Sequence, residues 1–170
     1  MSSSKEPIAQ QESPVDQSSD GEEQSLFVIR HGDRFDYANP SWRGTTDRRY
    51  DPPLSALGKQ QARETGQFLD SLLSPETQIL AWMSSPFLRT LQTSENAMSV
   101  FNDPIAILPE ESVSEYDSHG VGMHEYLPPL DERVHYFPRL DKDYESMFVP
   151  KLPGMSVYRD SFCVYIVICA

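Results

Sequence analysis

The stretch LFVIRHGDR, residues 26–34, decides the fold because a run of apolar residues stops abruptly on charged ones. Residues 26–29 have the composition of a short, fully buried strand. The strand candidate ends on Arg30, His31 and Arg34, although the chain has a formal net charge of -12 at pH 7. Cations gathered at a strand end in an acidic chain indicate a local site for a small anion.

The overall composition excludes several classes of partner. A chain of 170 residues can bury the core of one domain. The balance of -12 argues against a general nucleic-acid or anionic-membrane surface. Residues 1–24 are rich in Ser, Gln and Glu, so we predict a disordered acidic tail before one domain at 25–170. Two cysteines and no visible secretory signal favour a reducing, cytoplasmic location.

Apolar periodicity predicts alternating strands and helices. The predicted strands lie at 26–29, 79–83 and 105–108, and the predicted helices at 55–73 and 86–101. This order predicts an α/β domain with a largely parallel sheet. Residues 116–154 lack periodicity and are predicted to form an irregular insertion. A final apolar run at 162–170 resembles a strand and is too short to span a bilayer.

The helix starts carry their own signals. Ser55 can cap the first helix. The residues that repeat at helical spacing along it are Leu57, Gln61, Thr65, Phe68, Leu69, Leu72 and Leu73. For the second helix, we predict Ser85 as the cap with Pro86 at the first helical position.

Arginines follow the ends of two predicted strands. Ligands of open α/β sheets bind at the carboxyl ends of strands. The first strand ends at Arg30, and Arg89 falls in the first helical turn after the second. We expect these two strands to be neighbours, with ends ~5 Å apart, so that Arg30, Arg34 and Arg89 converge on one anion.

His31 is the candidate nucleophile of this site. An imidazole among arginines is discouraged from protonating, and a neutral ring nitrogen can attack phosphorus. Arginines that spread phosphoryl charge supply most of the stabilisation that phosphoryl transfer needs. For the stretch alone, an ordinary surface turn with an ion pair between Arg30 and Asp33 remains an alternative.

Three stretches in register together resemble the histidine phosphatase superfamily, also called the phosphoglycerate-mutase-like family. They are LFVIRHGDR at 26–34, DPPLSALGKQQARETGQFL at 51–69 and SSPFLRTLQTSE at 84–95. The resemblance implies a three-layer α/β/α fold with a mostly parallel sheet. It also implies cofactor-free and metal-free hydrolysis of a phosphate monoester through phosphohistidine on His31. The substrate would be a small phosphorylated molecule or a phosphoprotein, with Arg30, Arg34 and Arg89 holding its phosphate.

Finer features resemble one branch of this family. RHGDR, followed by Trp42 and YDPPLS, is similar to the branch containing the T-cell-signalling suppressor phosphatases. The family's proton donor follows the third strand, where LPEESVSEYD offers Glu110, Glu111 and Glu115. We select Glu115 because it precedes an aromatic residue.

A second catalytic histidine is the family element that we do not find. It follows a late strand in the family, whereas His119, His124 and His135 all lie within 116–154. The glycines between His119 and His124 indicate a loop rather than a metal pair. We therefore expect a C-terminally truncated chain that lacks the last strand, the last helix and this histidine, with impaired activity. The alternative is a non-catalytic phosphate-binding or protein-interaction module with the same fold.

Overall fold

The structure is a computed structural model that describes residues 24–102, 105–114, 127–147 and 163–169. Four strands form one sheet in the order β1-β4-β2-β3, with β1 at Gln24–Arg30, β2 at Gln78–Ser84, β3 at Ile107–Pro109 and β4 at Cys163–Cys169. The helices are α1 at Phe35–Ala38, α2 at Ala56–Leu72, α3 at Leu88–Met98 and α4 at Leu130–Arg133. The predicted tail lies outside the described residues except for Gln24, which begins β1.

The direction of the strands places the site. β2 and β3 are parallel, and β4 is antiparallel to both β1 and β2. Therefore β1, β2 and β3 run the same way and their carboxyl ends lie at one edge. The expectation that β1 and β2 are neighbours was wrong, because the apolar β4 pairs with both and separates them. Their ends lie two strand spacings apart, roughly 10 Å.

Helices α2 and α3 pack closely beside the sheet. A Cβ added at Gly66 of α2 would lie 2.2 Å from the carbonyl oxygen of Ala97 in α3, so only glycine allows this approach. The core cluster beside them includes Trp82, Leu91 and Ile107, which are all fully buried.

The buried face of α2 matches the predicted repeat only in part, since Leu69 is buried but other apolar members are not. Leu57, Phe68 and Leu72 are all more than half exposed. The face that packs is built mainly of small residues, and its buried members are Gly58, Ala62, Gly66 and Leu69. Close backbone contact, rather than interlocking large side chains, therefore holds α2 in place.

One face of β1 also remains exposed. Ile29 is buried, whereas Leu26 and Val28 on the opposite face are 61% and 54% exposed. None of the helices in the described ranges combines the length and hydropathy needed to cross a lipid bilayer.

The predicted irregular insertion is described in part. Residues 127–147 contain α4 and turns, and the remainder of the insertion up to residue 154 lies outside the described ranges.

Candidate functional site

The loop that follows β1 lies directly against the first turn of α2. A Cβ at Gly32 would lie 2.3 Å from the Gly58 carbonyl oxygen, and one at Gly58 would lie 2.1 Å from the Asp33 carbonyl oxygen. Real Cβ atoms do not approach so closely, so both positions require glycine. The two sequence stretches that contain RHG and LSALG therefore form one backbone-packed unit.

Hydrogen bonds fix this loop. Asp33 N–H donates to Gln61 Oε1 at 2.8 Å, and the Asp33 carbonyl accepts from Ser55 N–H at 2.9 Å. The Ser55 hydroxyl donates to Asp33 Oδ2 at 2.6 Å and accepts from Gly58 N–H at 3.0 Å. The prediction of Ser55 as the cap of α2 is confirmed. The Asp33 carboxylate binds Ser55, in place of the ion pair with Arg30 that the surface-turn alternative required.

His31 is buried at the start of this loop, with 9% of its surface exposed. Its Nδ1 lies 2.7 Å from the Gly32 carbonyl oxygen. Since a carbonyl oxygen only accepts, Nδ1 carries the proton and Nε2 keeps its lone pair. Burial is the largest of the causes that lower the pKa of His31 to about 4. The positive charges of Arg89, Arg34 and Arg30 also lower it, and the hydrogen bond to Gly32 partly opposes the shift. The imidazole is therefore neutral at pH 7.

Arg34 is held by an acidic neighbour. Its Nε and Nη2 donate to the two carboxylate oxygens of Asp36 at 2.9 and 2.8 Å, and its guanidinium lies 4.4 Å from the Tyr37 ring centroid. Arg43 shares the same carboxylate at 2.7 Å. Burial alone would raise the pKa of Asp36, but the hydrogen bonds from Arg34 and Arg43 outweigh it and lower that pKa. Two cations on one carboxylate leave a net positive charge beside His31.

Arg89 approaches the site from the first turn of α3. It is 1% exposed, and its guanidinium lies 4.2 Å from the Phe87 ring centroid. Its Nη1 lies 4.0 Å from Asp51 Oδ1. Arg89 is therefore a buried cation whose position depends on Phe87 and Asp51.

The start of α3 differs from the prediction. The helix begins at Leu88, and Leu88 N–H donates to Asp51 Oδ1 at 2.7 Å, so a carboxylate 37 residues away takes the role predicted for Ser85. The Ser85 hydroxyl instead bonds the Ser114 hydroxyl at 2.9 Å. Pro86 consequently precedes the helix rather than opening it.

Asp51 is a site residue that the sequence analysis missed. It is 2% exposed, and burial raises its pKa even though Leu88 N–H, Arg133 and Arg89 oppose that shift. Arg133 of α4 is also buried, and burial lowers its pKa. No local pattern marks either residue, because both act on groups far away along the chain.

The three candidate proton donors have different outcomes. Glu110 is 0% exposed, and its carboxylate accepts from Ser112 N–H, Tyr144 OH and Met147 N–H at 2.8–2.9 Å, as well as from the Ser146 hydroxyl. Burial alone would raise its pKa, but these hydrogen bonds outweigh burial and lower the pKa of Glu110 to about 2. Glu110 is thus an ionised structural anchor and a poor proton donor.

The structure describes one of the other two candidates. Glu111 is half-buried and lines a neighbouring cavity. Glu115 lies outside the described residues, so its role as the donor stays a prediction.

Of the remaining histidines, His135 alone lies within the described ranges. His135 is exposed beyond the end of α4, and His119 and His124 lie outside the described residues. Within the described ranges, no group of three or more His, Cys, Asp or Glu residues could hold a metal ion. The structure brings the four predicted phosphate-site residues His31, Arg30, Arg34 and Arg89 together. The evidence is that the positive charges of all three arginines act on His31 and lower its pKa.

Comparison with a solved structure identifies this fold. The ecdysone phosphate phosphatase EPPase from Bombix mori, in complex with tungstate, matches with a TM-score of 0.62 at 18% identity. The match covers 78% of this chain and 60% of that one. The predicted α/β, phosphoglycerate-mutase-like fold is confirmed.

Sequence comparisons identify the family. The uncharacterized phosphatase PhoE of Bacillus subtilis (strain 168) is 28% identical over 127 residues, which are 72% of this chain and 55% of PhoE. This chain therefore spans between half and two thirds of the length of these two relatives. Residues 26–126, more than half of the chain, match the family model of the histidine phosphatase superfamily (branch 1). The chain belongs to the histidine phosphatase superfamily, branch 1.

Proposed function

We propose that this protein hydrolyses phosphate monoesters through a phosphohistidine intermediate on His31. The observation that carries the proposal is the state of this imidazole. It is buried and neutral, with the Nδ1 proton bound to Gly32 and three arginines near it. A neutral nucleophile within a cationic field suits attack on a phosphate dianion, because the field attracts the substrate without protonating the nucleophile.

The proposed reaction has two steps. In the first, the lone pair of His31 Nε2 forms a bond to phosphorus while the bond from phosphorus to the ester oxygen breaks. The leaving oxygen keeps that electron pair and takes a proton, for which Glu115 remains our candidate donor. In the second, water gives a proton to the carboxylate left by that donor and attacks phosphorus, the bond between phosphorus and nitrogen breaks, and the imidazole returns to its neutral form as inorganic phosphate leaves.

The three arginines have different electrostatic roles in the proposed reaction. Arg30 is exposed at the end of β1, and Arg89 is buried at the start of α3, so they can contact the phosphoryl oxygens from two sides. The guanidinium edge of Arg34 already makes a two-point contact with Asp36. Arg34 therefore contributes mainly charge, and it positions the loop that carries His31.

The relatives support this proposal at the level of reaction class. PhoE is named a phosphatase, and EPPase is named for ecdysone phosphate. The EPPase crystals hold tungstate, which is a tetrahedral oxyanion like phosphate. The more specific membership in the branch of T-cell-signalling suppressor phosphatases remains part of the proposal.

Phosphate release from 4-nitrophenyl phosphate tests the proposal directly. We expect His31→Ala to lower kcat/KM by about a thousandfold or more, because the covalent route is lost. The matched control is His135→Ala, which removes an exposed histidine and should leave turnover unchanged.

A labelling experiment separates catalysis from binding. Rapid quenching with a ³²P-labelled substrate should trap label on the wild-type protein and none on His31→Ala. Full turnover by His31→Ala would refute the assignment. Vanadate binding without label or turnover would instead favour a non-catalytic phosphate-binding module.

A further inference from the structure

A cavity of about 330 Å³ lies beside the candidate site, and nothing in the phosphate chemistry above uses it. Six of its eight lining residues among the described ranges are proline or leucine. The two polar ones are Glu111 and Arg133. A concave, mainly apolar surface with a few polar groups is typical of a small-molecule site.

The topology sets the distance from this cavity to His31. Pro86 follows the carboxyl end of β2, and Pro109 ends β3, so the cavity opens at the same sheet edge as His31. Neighbouring strands lie ~4.8 Å apart, which puts β2 roughly 10 Å and β3 roughly 14 Å from β1. A ligand whose phosphate lies at His31 therefore needs an extended organic portion to reach the cavity.

The wall of the cavity is preformed. Arg133 Nη1 donates to the Pro86 carbonyl and so ties α4 to the loop that precedes Arg89. Burial lowers the pKa of Arg133, and the negative charge of buried Asp51 opposes that shift. Asp51 therefore balances the charge of Arg133. Arg133 thus acts as a brace between the cavity and the phosphate site rather than as a free cation.

We infer that this cavity binds the apolar end of the leaving group, so that aryl or cyclic alkyl phosphates are preferred over short polar ones. The inference rests on the proposed phosphate site at His31. Burial of an apolar group against proline and leucine is favourable, whereas a polyol there would lose hydrogen bonds to water. A substrate is thus selected by its organic part at the cavity and anchored by its phosphate at the arginines.

The test uses two phosphonates that cannot be hydrolysed, so that it does not depend on turnover. Benzylphosphonate carries one ring and 4-phenylbenzylphosphonate carries two. We expect the full chain to bind the two-ring compound at least about tenfold more tightly in isothermal titration calorimetry, because the second ring is buried. Phosphate release, measured separately, reports on the proposed reaction alone.

Two variants test whether the cavity causes the preference for the two-ring compound. Leu127→Gln places an amide in the cavity wall, and Pro129→Asp places a carboxylate at an exposed position of the same wall. Aspartate is favoured at the residue preceding a helix, so α4 should tolerate the second change. Each should reduce the two-ring preference to less than about threefold. The control is Leu72→Gln, at an exposed leucine of α2, which should keep the full preference.

Equal affinity of the wild-type protein for the two compounds would overturn the inference. A preference that persists in both cavity variants would overturn it as well. If both variants lose the preference for the two-ring compound, the cavity binds the organic part of the ligand. That result would stand even if His31→Ala retained turnover, so the binding proposal and the catalytic proposal can fail separately.

Discussion

The buried carboxylate of Glu110 gives a prediction whose size follows from the structure. Folding lowers the pKa of Glu110 from 4.5 to about 2, because hydrogen bonds to the ionised form outweigh its burial. A shift of this size corresponds to about 3 kcal/mol of stability at neutral pH. We expect Glu110→Gln to lower the free energy of unfolding by about this amount at pH 7, because an amide cannot accept all four hydrogen bonds.

The same reasoning fixes the pH dependence of this loss. The pKa of Glu110 is lower in the folded protein than in the unfolded chain. Its contribution to the free energy of unfolding is therefore complete above the unfolded pKa and disappears as pH falls towards 2. The difference between wild type and variant should therefore shrink to less than half of its pH 7 value at pH 3. Urea unfolding followed by tryptophan fluorescence measures it, because Trp82 is fully buried. Glu145→Gln, at an exposed glutamate, is the control. A difference that is the same at pH 7 and pH 3 would refute this account of Glu110.

Three further predictions concern the loop and its helix. Gly58→Ala should destabilise the protein by about 3 kcal/mol in thermal or urea unfolding, since its Cβ would overlap the Asp33 carbonyl, whereas Gly44→Ala, with open space around it, should change little. Ser55→Ala should cost about 1–2 kcal/mol in the same assay, because it removes the cap of α2; an unchanged midpoint would contradict the role of the hydroxyl. In an NMR titration, the His31 ring should protonate with a midpoint of about 4. Folded stability should therefore fall as pH drops from the ordinary histidine range towards that value, and a midpoint near 6.5 would exclude a buried neutral imidazole.

Local sequence patterns predicted the elements well where local chemistry decides them. The strand that ends on Arg30 and the helix capped by Ser55 lie within a few residues of their predicted bounds. A serine cap and a short apolar run act over a few residues, so their signals are visible in sequence. The grouping of Arg89 with His31 also followed from the rule that strand ends share one edge.

The errors arose where distant parts of the chain compete. The cap of α3 was assigned to Ser85, but Asp51 reaches the same N–H from 37 residues away. The expectation that the first two strands are neighbours was wrong because β4, which comes last in the chain, enters between β1 and β2. Gly58 and Gly66 of α2 pack inward while Leu57, Phe68 and Leu72 stay exposed, since backbone contact with the loop and α3 requires small residues. None of these outcomes can be read from periodicity, which describes one segment at a time.

The cationic site is compatible with an acidic chain because acids within the fold position its arginines. Asp36 holds Arg34 and Arg43 together, and Asp51 lies between Arg89 and the N-terminus of α3. Each carboxylate serves more than one positive group, so the local charge stays positive although the chain is strongly negative. An arriving phosphate can therefore gain favourable contacts without displacing a counter-charge from every arginine. Asp51 also faces Arg133, so one buried carboxylate connects the brace of the apolar cavity with the arginine of the phosphate site.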